Sequence, residues 1–167
     1  ERPEHEATFV FFDVVDQQYH VWIRVNSFTA AIEFAGVEPG SSAELVLSSD
    51  DRTPDEMALL TGLTPTTVTW KGTPKRAGVG AARRHFLSWS PEATGISLES
   101  KFERIARAME GVAARGELPE SVEAQLSIAS YQWQAWPSGF HLHAALIAAT
   151  ARINASVDID LYCSGPE

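Results

Sequence analysis

The sequence predicts an α+β fold: a largely antiparallel sheet with two to three helices packed on one face, plus an N-terminal β-hairpin. Segments in which apolar and polar residues alternate, as in strands, are concentrated early in the chain, and segments with apolar residues at helical spacing are interspersed later. The chain has 167 residues, of which 44% are hydrophobic and 21% are charged. Such a chain can bury a sizeable core, so we expect a single domain over residues 1–167.

The first 42 residues are predicted to form an added hairpin in front of a core over residues 43–163. The apolar run ATFVFFDVV is followed by a turn near Asp16 and then by YHVWIRV, in which apolar and polar residues alternate. Two strands joined by a turn are the simplest interpretation. After FTAAIEF, the stretch GVEPGSS is typical of a loop because Gly, Pro and Ser interrupt regular structure.

The segment AELVLSS predicts the next strand, and a short helix follows it. Thr53 can cap this helix, Pro54 suits its first position, and Glu56 completes a capping box. Gly62 can supply the left-handed backbone conformation that ends many helices. Beyond this helix, TTVTW and HFLSW are predicted as strands on either side of a basic, glycine-containing run.

The second half of the chain has the clearest helical pattern, in SLESKFERIARAMEGVAARG. Ser97 is predicted to cap this helix and Gly116 to end it. The segment EAQLSIASYQW alternates as a half-buried strand does, and a turn near Pro137 leads into a third helix. The last segment, SVDIDLYC, is predicted to be a strand whose apolar residues point inward, namely Val157, Ile159 and Leu161.

Charge is distributed unevenly along the chain. The net charge is −9, yet the run from 71 to 84 carries five positive charges and no acid, so the rest of the chain carries −14. An acidic body disfavours binding to nucleic acid, which depends on clustered Lys and Arg. It is compatible with docking onto a basic protein surface. The basic residues of the run are Lys71, Lys75, Arg76, Arg83 and Arg84.

Other features limit the class of protein. The chain has no run of about 18 apolar residues, so a transmembrane helix is not expected. The acidic start ERPEHEATFVFF differs from a secretory signal, although processing upstream of Glu1 stays open. Cys163 is the only cysteine, which excludes an internal disulfide and the cysteine-based metal motifs. We therefore expect a cytoplasmic protein with no membrane partner and no cofactor.

Three segments within about residues 43–163 form a recognisable order of features: AELVLSSDDRTPDEMALLTGLTPTTVTWKGT, then HFLSWSP, and finally SVDIDLY. In this order they resemble a bacterial family called domain of unknown function 4279. The resemblance implies an α+β fold and a bacterial origin. Since the family has no established reaction, it implies no catalytic residue.

Two segments are candidate binding elements. The basic run lacks the spacing of a phosphate-binding P-loop, so it is interpreted either as a connector between strands or as a clamp for an anion or partner. In YQWQAWPSGFHLHAAL, over 131–143 and beyond, His141 and His143 would share one side of an extended chain and are weak candidates for a metal site. Trp136 and Phe140 are candidate contacts for a protein partner.

No catalytic motif is present in the sequence, and an enzyme is not expected, although a small hydrolase stays open as a third class because active sites assemble in space. The leading hypothesis is a bacterial immunity protein that blocks a cognate, basic toxin domain with an acidic surface. The alternative is a domain that senses a small molecule or a metal through the aromatic and histidine segment 131–143. The carboxylates expected to contact a protein partner are Asp50, Asp51, Asp158 and Asp160.

Overall fold

The computed structural model describes residues 7–13, 19–39, 41–74, 80–91, 97–133 and 140–164. These residues form an α+β fold, as predicted, with two sheets and three helices. The elements in chain order are β1 (Ala7–Asp13), β2 (Tyr19–Asn26), β3 (Ile32–Pro39), β4 (Ser41–Ser49), α1 (Pro54–Thr61), β5 (Thr67–Thr69), β6 (His85–Trp89), α2 (Leu98–Ala113), β7 (Glu123–Trp133), α3 (Ala144–Arg152) and β8 (Ser156–Ser164).

The predicted N-terminal hairpin is confirmed in the antiparallel pair of β1 and β2, and β3 extends it into a three-stranded antiparallel sheet in the order β1-β2-β3. The predicted loop at GVEPGSS was wrong at both ends, because GVEP continues β3 and pairs with β2, while Ser41 and Ser42 begin β4. Gly36 lies against the ring of Trp22 on the neighbouring strand, and a Cβ at Gly36 would lie 2.8 Å from that ring. This glycine therefore makes room for a cross-strand indole and does not end the strand.

The main sheet has five strands in the order β5-β6-β4-β7-β8. All neighbours are antiparallel except β7 and β8, which are parallel and are joined by α3. A parallel pair needs such a crossover because a tight turn cannot return the chain to the same end of the sheet. The prediction of a largely antiparallel sheet is confirmed.

One hydrophobic core lies between the sheet and the three helices. The segment AELVLSS lies in β4, as predicted, and the inward side chains of this strand alternate with half-exposed ones. From α2, the buried side chains recur at helical spacing and pack against the centre of the sheet. The largest fully buried side chains of this core include Leu45, Leu47, Phe102, Ile105, Met109, Leu126 and Ile128.

The predicted helix caps are present. Thr53 and Glu56 form the capping box of α1, in which the backbone N–H of Thr53 donates to Glu56 Oε2 at 2.8 Å. Gly62 ends α1 with φ 69°. The hydroxyl of Ser97 accepts from the backbone N–H of Ser100 at the start of α2. That helix ends at Ala113, earlier than predicted, with its C-cap one residue further along the chain.

The apolar side chains of β8 lie on the core side of the sheet, as predicted, but they are not buried there. Val157, Ile159 and Leu161 have exposed fractions of 45%, 41% and 59%. Val157 and Ile159 are in register with buried Leu126 and Ile128 of β7, so they lie on the helix-covered face. They stay exposed because β8 is at the end of the sheet, beyond the part of this face that the helices cover.

No helix in the described part of the chain is long and apolar enough to cross a membrane.

Candidate functional site

Strand β8 presents the first candidate surface. It has nine residues and pairs with β7 along one edge. Among the described residues, no strand pairs with its other edge. Backbone N–H and C=O groups on such an edge are open to pairing with an added strand. A long edge strand with exposed aliphatic side chains is a typical protein-binding surface.

The carboxylates of β8 lie on the opposite face from its apolar side chains. Asp158 and Asp160 are both exposed and are in register with Ser127 and Ala129 of β7. Ser127 and Ala129 have small side chains, so both carboxylates are accessible from the sheet face opposite the helices. The predicted partner residues Asp158 and Asp160 are thus brought together on one strand, while the other predicted carboxylates lie elsewhere.

The other predicted acidic residue, Asp50, lies within a cluster of opposite charges. Arg84 Nε is 3.5 Å from Asp50 Oδ2, and Arg84 Nη1 donates to Glu123 Oε2 at 2.6 Å. Lys71 Nζ donates to the backbone oxygen of Asp50 at 3.2 Å. A predicted partner-binding carboxylate and two predicted anion-binding cations therefore pair with each other. We call Asp50, Lys71, Arg84 and Glu123 the charge cluster.

Within the charge cluster, the pair of Arg84 and Glu123 has shifted pKa values. The hydrogen bond from Arg84 lowers the pKa of the Glu123 carboxyl below its usual range, and the nearby positive charge adds to this effect. The same hydrogen bond raises the pKa of the Arg84 guanidinium, against a smaller opposing effect of burial. Glu123 was absent from the predicted site because it is 39 residues from Arg84 in the chain.

The basic run connects β5 to β6, which pair with each other. Gly72 N–H donates to Ala82 O, and Ala82 N–H donates to Thr73 O, both at 2.8 Å. These two hydrogen bonds join the two ends of the basic run to each other and continue the pairing of the β5–β6 hairpin. Arg83 is exposed. Lys75 and Arg76 lie outside the described residues.

The remaining predicted contacts are separated from one another. Asp51 is exposed in the turn before α1. Phe140 packs edge-on against Phe102, with ring centroids 5.9 Å apart, so its ring is part of the core packing. Trp136 lies outside the described residues. Trp70, expected in a strand, follows β5 and is exposed.

The two histidines of the proposed metal site have different environments. His141 is exposed. His143 is the N-cap of α3, and its Nδ1 accepts a hydrogen bond from the backbone N–H of Leu146 at 3.2 Å. In the described ranges, no three side chains of His, Cys, Asp or Glu are grouped as a metal site requires.

A second candidate site, absent from the sequence predictions, is a cleft of about 840 Å³. It lies between the loop after α1, the end of β6 and one side of α2. Its lining consists of residues 63–66 and 89–91 together with Arg104, Arg107 and Ala108. Helical spacing places Arg104, Arg107 and Ala108 on one side of α2. That this side lies opposite residues 63–66 and 89–91 depends on the tertiary fold, so the sequence alone did not reveal the cleft.

The two loop walls of the cleft are tied together. Thr66 N–H donates to Ser88 O at 2.9 Å, and Ser90 N–H donates to the hydroxyl of Thr66 at 3.0 Å. At the other end of the loop, the guanidinium of Arg115 lies against Gly62. The hydrogen bonds of Thr66 hold the two loop walls of the cleft together.

Comparison with known proteins supports the family resemblance. Residues 39–164 match the model of a family described as a domain of unknown function (DUF4279). The match covers most of the chain and begins at the end of β3, so the greater part of the N-terminal sheet precedes it. No curated protein and no solved structure matches the chain.

Proposed function

Because the chain belongs to the DUF4279 family, whose description assigns no activity, we propose a function from its surface: a non-enzymatic domain that binds a protein partner by strand addition at β8. The observation that carries this proposal is the edge of β8. Among the described residues no strand pairs with the outer edge of β8, its apolar side chains are exposed on one face, and its carboxylates are exposed on the other.

The proposed partner segment is an extended strand in which basic and aliphatic residues alternate. Its main chain would extend the ladder of the sheet beyond β8. Its aliphatic side chains would cover Val157, Ile159 and Leu161, and its Lys or Arg side chains would lie beside the carboxylates of the opposite face. The backbone edge, the aliphatic side chains and the carboxylates of β8 would then each contact a matching group of the partner segment.

A second copy of this chain is a poorer occupant. An antiparallel pair of two β8 strands centred on Ile159 would set Asp158 of one copy opposite Asp160 of the other. Like charges directly opposite each other destabilise a strand pair. The carboxylates therefore disfavour self-association and favour a basic partner, and the net charge of −9 would speed the encounter.

The partner class that we propose is a basic, toxin-type domain, with this chain acting as its immunity protein. Inhibition would be steric, because a strand held against β8 places the body of this domain over the partner's basic surface. Charge complementarity supports this class of partner. Asp50 is no longer included in the proposed surface, because Arg84 and Lys71 already pair with it.

The test is calorimetric titration of the full chain with a nine-residue peptide of alternating lysine and valine, the length of β8. Two control peptides replace lysine by glutamate, or introduce prolines that prevent ladder formation. We expect binding of the basic peptide alone, and binding that weakens as salt is raised.

Charge-reversal variants locate the binding. Asp158→Lys/Asp160→Lys is expected to weaken peptide binding by at least about tenfold. Glu117→Lys/Glu120→Lys makes the same charge change at exposed positions between α2 and β7, and should have a much smaller effect. Equal losses in both variants would attribute binding to net charge and would contradict a site at β8.

A further inference from the structure

The cleft beside α2 differs in charge from the rest of the molecule. Acidic residues outnumber Lys and Arg by 22 to 13 in the chain. Among the described residues that line the cleft, however, there are two arginines and no carboxylate. A concave site with this lining attracts an anion, and its local field opposes that of the acidic body.

The arginines are held on one face of a helix. Arg104 and Arg107 are three residues apart in α2, so they lie on adjacent turns of the same side. Arg107 Nη2 is 3.6 Å from Glu103 Oε2, and both side chains are largely exposed. Such an exposed pair contributes little, so an anion in the cleft can compete for the guanidinium.

The rest of the lining is apolar or carries hydroxyls. Leu63, Trp89 and Ala108 supply an apolar surface beside the arginines, and Thr64 supplies a hydroxyl. A volume of about 840 Å³ lies within the range of small-ligand pockets, about 300–1,000 Å³. An inorganic ion would leave most of this surface unused. A larger molecule with an apolar body would cover it.

The geometry points to a binding site in this cleft for a small organic anion: a carboxylate or phosphate joined to a flat, apolar body. Arg104 and Arg107 hold the anionic group, and Trp89 contacts the apolar body. The walls are already tied by Thr66 and Ser90, so binding requires little ordering of the loops. This site shares no residue with the β8 surface.

The experiment measures binding of phenyl phosphate and phenylacetate to the full chain by nuclear magnetic resonance titration. Benzyl alcohol supplies the ring without charge, and inorganic phosphate supplies the charge without the ring. We expect both phenyl anions to shift amide signals of residues 63–66 and 89–91, at lower concentrations than either control. The two phenyl anions distinguish a phosphate from a carboxylate preference.

Two variants connect this binding to the cleft. Arg104→Gln/Arg107→Gln is expected to weaken the binding of both phenyl anions by at least about tenfold. Arg83→Gln/Arg152→Gln also removes two exposed positive charges, but outside the cleft, and should leave the affinity within about twofold. Ala108→Phe should weaken the binding of both phenyl anions because its ring fills part of the cleft, although the charge of the cleft is unchanged.

Several outcomes would overturn the inference. Benzyl alcohol binding as tightly as the phenyl anions would show that the arginines do not recognise charge. Inorganic phosphate binding as tightly as phenyl phosphate would show that the apolar wall contributes nothing. Unchanged affinity in Arg104→Gln/Arg107→Gln, with native amide spectra, would place any binding elsewhere. Binding of neither phenyl anion would also reject the site.

Discussion

Arg84 Nη1 donates to Glu123 Oε2 at 2.6 Å and thereby joins the start of β7 to the basic run before β6. The same guanidinium contacts Asp50 at the end of β4. One side chain thus ties together three segments of the main sheet. The contact also explains why the run is not a freely available cluster of cations: two of its charges are paired within the fold.

The charge cluster gives stability that depends on pH. The folded-state pKa of Glu123 is lowered, so its contribution is present above the ordinary range of a glutamate and is lost as pH falls through the lowered folded pKa. Arg84→Gln should lower the melting temperature at neutral pH and have less effect in acid. The change should be modest because Glu123 is 68% exposed.

Thermal melts of Arg84→Gln and of the exposed neighbour variant Arg83→Gln, at neutral and acidic pH, check this prediction. Arg83→Gln removes the same charge without a pairing contact in the charge cluster. An equal change in melting temperature for the two variants at both pH values would argue against a specific pair.

Two glycines of the helical layer should respond to alanine in opposite directions. Gly62 has φ 69°, where an L-residue is strained, so Gly62→Ala should destabilise the protein by about 1 kcal/mol. Gly111 lies inside α2, and nothing lies within 4 Å of an added Cβ. Gly111→Ala should therefore stabilise by about 0.5–1 kcal/mol. Urea unfolding of both variants measures whether each substitution lowers or raises the free energy of unfolding. Changes of the same sign in the two variants would contradict the prediction.

The cap of α3 predicts a specific rescue. His143→Ala removes the acceptor for Leu146 N–H and should destabilise the protein by about 1 kcal/mol. His143→Asp restores a side-chain acceptor at the N-cap, where a negative charge is also favoured. Denaturant unfolding should therefore rank His143→Asp at or above the wild type. Similar losses in both variants would show that the imidazole contributes mainly by packing.

Apolar side chains on the same sheet face should differ in their contribution to stability. Leu126→Ala removes a fully buried side chain and should cost about 2–5 kcal/mol. Leu161 is 59% exposed at the edge, so Leu161→Ala should cost less than about 1 kcal/mol. Chemical unfolding of the two variants compares them directly. A large loss for Leu161→Ala would mean that β8 is covered in solution and would weaken the proposed partner surface.

Local signals in the sequence predicted much of the fold. The capping box at Thr53, the apolar stripe of α2 and the strand at AELVLSS each depend on residues close together in the chain. The errors concern long-range packing. Gly36 resembles a loop residue until Trp22 is placed beside it, and the alternation of β8 does not reveal that this strand is at the sheet edge.

The candidate sites were less predictable for the same reason. Asp158 and Asp160 could be paired from the sequence because strand period places them on one face. Asp50 and Arg84, predicted as separate partner contacts, meet only when β4 and β6 pair. The cleft is built from three segments, and the spacing of Arg104 and Arg107 alone does not distinguish a ligand site from a solvated helix face.

The most direct measurement is amide hydrogen exchange of the isotope-labelled full chain, with and without the alternating lysine and valine peptide. The account predicts that amides of residues 156–164 which do not pair with β7 exchange rapidly in the free chain and become protected when the peptide binds. The glutamate peptide should leave them unprotected. Peptide binding that leaves β8 unprotected, or no binding at all, would contradict strand addition at this edge.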